Sequence, residues 1–174
     1  MSWHTSGTLI HADYSKDLPG LLEKLGVEGA NLRDATISFE EATSVEIDGL
    51  GVAVVDGWTC LFGTMTMVLI DDEALARISK EADVFQITLE GSSGAAGFEW
   101  MTGGKSVRRW MIVEGDVTVN EGTPLPQEKL VANEKDDEQR MLLLMEKMTV
   151  PFKRLSETKF HAFECESELG DMEW

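Results

Sequence analysis

Residues Val84 to Glu128 read VFQITLEGSSGAAGFEWMTGGKSVRRWMIVEGDVTVNEGTPLPQE, apolar runs separated by glycine-rich breaks. Phe85, Ile87 and Leu89 alternate with Gln86, Thr88 and Glu90, the period of two expected of a strand. Gly91-Ser92-Ser93-Gly94 then breaks the run with turn-forming residues. Phe98 and Trp100 fall on one face of the next strand, with Glu99 opposite. Gly103-Gly104 supplies the positive φ angles of a tight hairpin. Val107 to Val113 forms a third strand, and Gly115-Asp116 turns the chain into Val117-Thr118-Val119. Pro124-Leu125-Pro126 closes the series, because proline cannot donate to a ladder. The sequence therefore predicts an antiparallel meander. The spacing Gly91-x-x-Gly94-x-x-Gly97 is read as hairpin turns and not as a phosphate loop, since a strand follows it where a phosphate loop needs a helix N-terminus.

Working toward the N-terminus, Asp71 opens a helix over 73–81. Asp71, Asp72 and Glu73 are assigned to capping its free N–H groups, with no metal site expected. Trp58 to Ile70 reads as a strand with a break at Gly63, Gly51 to Val55 as a strand covered on both sides, and Ala35 to Ser44 as a further strand. Asp17 caps a short helix, Leu18 to Leu25, ended by Gly26. Gly7 to Tyr14 is the first strand. Beyond the prolines, Met141, Leu144, Met145 and Met148 recur at helical steps and predict a helix over 136–148, stopped by Pro151. Lys159 to Glu166 is the last strand. Strands and helices are segregated, so the expected fold is α+β: a largely antiparallel sheet with two or three helices packed on one face. A single domain covers 1–174, with a flexible acidic tail from about 164 onward.

The chain carries 32 acidic against 15 basic residues, a formal charge of −17. That balance argues against nucleic acid as a direct ligand. Between Arg33 and Arg77 there is no Lys or Arg, while Asp34, Glu40, Glu41, Glu46, Asp48, Asp56, Asp71, Asp72 and Glu73 all fall there. Glu46, Asp48 and Asp56 are the candidate partner-binding residues, chosen to meet a basic protein. No apolar run is long enough for a membrane span, and no signal segment opens the sequence, so a cytoplasmic location is expected. Cys60 and Cys165 pair with nothing at metal-ligand spacing. His11 and His161 lie on candidate strands and would need a carboxylate or nucleophile beside them to act. No catalytic, cofactor or metal residue is assigned.

Gly91-x-x-Gly94-x-x-Gly97-Phe98-Glu99, Arg108-Arg109, Glu114-Gly115-Asp116 and Asn120-Glu121-Gly122-Thr123-Pro124-Leu125-Pro126-x-Glu128 together resemble a pattern of small acidic bacterial proteins that act as immunity proteins. The resemblance covers about a quarter of the chain and brings over no catalytic residue. It implies a protein that binds and blocks a cognate toxin. Two other readings stand beside it: a small hydrolase or transferase whose site assembles only in space, and an oligomerising component of a phage or secretion apparatus. The oligomeric state is left open, a homodimer included.

Overall fold

The computed structural model describes residues 3–44, 49–63 and 66–165, with backbone alone at 67 and 68. Among the described residues, nine strands form one antiparallel sheet: β1 (His4–Ile10), β2 (Asn31–Ile37), β3 (Gly49–Val55), β4 (Trp58–Gly63), β5 (Val84–Glu90), β6 (Ala95–Thr102), β7 (Lys105–Val113), β8 (Asp116–Gly122) and β9 (Phe160–Glu164). Their order in space is β2-β9-β3-β4-β1-β5-β6-β7-β8. The meander read from the sequence is β5 to β8. Gly103 and Gly104 have φ of 62° and 85°, and the last turn is made by Glu114 and Gly115 at 52° and 87°.

Alternate residues of the central strands point to opposite faces, and both faces are apolar. Leu9, Ala53, Cys60, Phe62, Phe85, Ile87 and Phe98 enter one core. Their neighbours Ile10, Val52, Leu61 and Val84 enter the other. The first core is covered by α2 (Phe39–Ala42), α5 (Asp137–Met148) and α6 (Phe152–Ser156). The second is covered by α1 (Leu18–Lys24) and α4 (Asp72–Ile78). The expectation of helices on a single face is thus corrected. A sheet whose central strands are apolar on both sides must be covered twice.

Three local assignments also change. β1 lies three residues earlier than expected at its start and ends at Ile10; His11 has left the sheet and stacks on Trp58, rings 4.3 Å apart and 6° from parallel. The strand expected over 35–44 is replaced by β2 followed by α2. Ser38 and Glu41 form a reciprocal capping box, with Glu41 N–H donating to Ser38 Oγ and Ser38 N–H to Glu41 Oε2. Two orphan donors are satisfied at once, so the chain turns helical at Phe39 although Ile37 and Phe39 suit a strand. The long strand expected over 58–70 stops at Gly63, and a helical turn, α3 (Thr66–Leu69), follows. Asp17 and Asp71 cap α1 and α4 as expected; Asp71 accepts from the N–H groups of Glu73 and Ala74.

The proline-rich exit from β8 is fastened by Arg108, whose side chain is 3% exposed. It donates from Nε and Nη2 to both oxygens of Glu128, at 3.0 and 2.8 Å. Nη1 reaches Asn120 Oδ1 at 2.7 Å and the Glu121 carbonyl at 3.0 Å. Leu125 N–H also donates to Glu128, at 2.5 Å. The motif residues Arg108, Asn120, Glu121 and Glu128 thus form one staple, holding the 3-10 turn Pro126–Leu130 against the edge of the meander.

Candidate functional site

A groove of about 960 Å³ lies beside α2 and α5. It runs between the two helices, and α6 packs against both. Its floor is an aromatic triangle: Trp3 lies 6.2 Å from Phe39 and 6.3 Å from Phe152, and Phe39 and Phe152 meet edge to face at 5.5 Å. One wall comes from Gln139, Leu142, Leu143 and Glu146, the i, i+3, i+4, i+7 stripe of α5. The other comes from Ser38, Glu40, Thr43 and Ser44 on and around α2.

Four carboxylates line this groove, those of Glu40, Asp136, Glu138 and Glu146, together with His4, and among the described residues its lining contains no Lys or Arg. Three of them are oriented by backbone donors. Glu138 accepts from Trp3 N–H at 3.2 Å, Glu146 from Phe152 N–H at 2.9 Å, and Asp136 from Gln139 N–H at 2.8 Å as the N-cap of α5. Such bonds place the groups without neutralising them. The result is an apolar trough with a negative rim, in which a cation gains electrostatically while its hydrocarbon stem finds aromatic surface.

No protein-family model, no curated protein and no solved structure matches this chain. Its chemistry must be read from its own residues.

The candidates chosen from sequence fare differently. Glu46 and Asp48 lie outside the described residues. Asp56 occupies the β3–β4 turn with φ of 50°, and its carboxylate takes both Arg154 Nε and Nη2, at 3.2 and 2.9 Å. The hydrogen bond from Arg154 holds the Asp56 carboxyl below its ordinary range. The acidic segment is therefore not without a cation: one arrives from ninety-eight positions away in the chain. Asp56 is thus paired with Arg154 at the surface, both side chains remaining exposed.

The histidines are placed apart from one another's expected roles. His11 rests on Trp58, and His161 is exposed on β9. His4 meets Glu90 across the β1–β5 pairing, Nδ1 to Oε1 at 2.5 Å, and Ser92 Oγ donates to the same oxygen at 2.6 Å. The Ser92 hydroxyl first, and then His4, keep the Glu90 carboxyl below its usual range against the opposing effect of partial burial. The hydroxyl here is bonded to the carboxylate and not to the imidazole, so this trio orients His4 without activating a nucleophile. Cys60 is fully buried and its thiol is pushed far up by desolvation, as a core cysteine should be. Among the described residues no helix is long and apolar enough to cross a membrane.

The sequence predicts α5 from the stripe Met141, Leu144, Met145 and Met148, of which the first three are buried and Met148 partly so. The groove stripe on the neighbouring face was legible in the same residues, as Gln139, Leu142, Leu143 and Glu146. What it faces is not: α2 and Trp3 come from the other end of the chain.

Proposed function

We propose that the chain is an acidic protein-binding module that captures a basic protein, working as an immunity-type inhibitor that covers a cognate toxin inside the cell. The observation that supports this reading is the groove itself, an aromatic floor with four carboxylates and no Lys or Arg among its described lining residues. Such a surface has nothing to neutralise phosphate groups, so nucleic acid is a poor ligand for it. A basic protein is attracted from a distance by the overall charge of −17 and then finds buried apolar contact, the combination that raises on-rate and slows dissociation.

The test is capture of a basic protein from the native host by the immobilised chain, followed by association kinetics at low and high salt and, where that protein is toxic, rescue of growth on co-expression. Capture with an on-rate that falls roughly tenfold or more as salt rises is expected. Two charge-reversal sets locate the contact. Glu40→Lys with Glu146→Lys acts on the groove, and Glu46→Lys with Asp48→Lys acts on the segment singled out from sequence. Slower association in either set assigns that surface. Rescue without any physical complex, or an on-rate indifferent to salt, would refute the reading.

A further inference from the structure

We infer that the groove receives an amphipathic helix of the basic partner, seated with an apolar side chain over Leu142 and Leu143 and a Lys or Arg at each end, against Glu138 and Glu146. The inference rests on the protein-binding reading above and adds the form and spacing of what is bound.

The spacing comes from α5. Glu138 and Glu146 are separated by eight helical positions, about 12 Å at 1.5 Å per residue. Leu142 stands midway between them, with Leu143 beside it, and all four residues line the groove. A partner helix laid alongside presents one face at i−4, i and i+4, which spans the same length of about 12 Å. Its central apolar residue then meets the two leucines and the aromatic floor of Trp3 and Phe152, while its outer residues meet the carboxylates.

Backbone chemistry selects a helix over an extended segment. An extended chain carries unpaired N–H and C=O groups that need a strand edge when they are taken from water. The long wall of this groove is α5, whose mid-helix backbone groups are bonded internally and offer no strand edge. A helix brings its backbone satisfied and asks only for side-chain contact. The two carboxylates are ready for that contact, because Trp3 N–H and Phe152 N–H each hold one of their oxygens in place.

The probe is a short alanine-rich helical peptide, fluorescein-labelled, with Leu at its centre and Lys four positions before and after. Its control has the same composition, with the lysines two positions from the Leu and so on the far side of the helix. Binding to the full chain is read by fluorescence anisotropy. The first peptide should bind saturably and at least about tenfold tighter than the control, the worth of two partly exposed ion pairs. Glu138→Gln with Glu146→Gln should remove about that tenfold preference. The amide oxygens still accept from Trp3 and Phe152, so the melting temperature should stay put. Equal binding of the two peptides, or an unchanged preference in the double variant, overturns the helix-in-groove inference. The same double variant is then tried against the toxin. Toxin capture with wild-type salt dependence by that variant would sink the groove helix alone. Failure of the wild-type chain to capture a basic protein would sink the protein-binding reading itself.

Discussion

Arg108 offers the sharpest test of how the fold is held. Its guanidinium is 3% exposed and its partner Glu128 19% exposed, so the pair sits largely out of water. Arg108→Ala removes two charge-assisted bonds to Glu128, the bonds to Asn120 and the Glu121 carbonyl, and the contact over the Phe98 ring at 6.0 Å. Glu128 keeps only the Leu125 N–H and becomes a poorly compensated carboxylate in a dry place. Breaking one side of a buried pair costs about 3–5 kcal/mol. That matches two charge-assisted bonds at about 1.5–3 kcal/mol each. Arg108→Lys should recover less than half, since an ammonium cannot span both oxygens of the carboxylate. The decisive variant is the double change Arg108→Met with Glu128→Leu, which removes both charges and fills the volume. It should be far less destabilising than the sum of the two single changes. Urea unfolding followed by tryptophan fluorescence gives all the values, provided the m-value is unchanged. Additive single and double costs, or an Arg108→Ala cost below about 1 kcal/mol, would refute the staple.

Further outcomes follow from the packing and the caps. Phe98→Ala should cost about 3–5 kcal/mol, because the ring is 5% exposed and stacks on Phe85 at 5.7 Å; Trp100→Ala should cost less, as Trp100 is only partly buried, and equal losses in urea unfolding would show the faces of β6 to be misassigned. Ser38→Ala removes one half of the capping box and should cost about 1 kcal/mol in the same assay; a neutral result would mean that α2 is held by packing alone. Glu90 has a folded pKa below its unfolded one, so its contribution to stability is present above the ordinary carboxylate range and is lost as pH falls through the lowered value. Ser92→Ala should bring the Glu90 titration, followed by carboxyl-carbon NMR, back toward the ordinary value, and an unmoved titration would remove the hydroxyl as its cause.

Local patterns in the chain were enough for the elements whose signal is itself local. The meander from Val84 to Gly122 could be read because period-two alternation and paired glycines act between neighbours in sequence. The caps at Asp17 and Asp71 and the helix before Pro151 could be read for the same reason. At Ser38 the local signal was also present, as Ser-x-x-Glu, but the apolar spacing of Ile37 and Phe39 competed with it, and the reciprocal cap won. Pairing at a distance left no such mark. β9, the last strand, inserts between β2 and β3, and β1 lies between β4 and β5. Nothing in either segment names its neighbours, because backbone hydrogen bonds are the same for every residue. Those pairings decided that both faces of the sheet are covered. They also brought Arg154 to Asp56, making that carboxylate half of an exposed ion pair. The groove arose in the same way, from Trp3 and α2 near one end of the chain and α5 and α6 near the other, which become adjacent only when the strands have paired on both sides of β1.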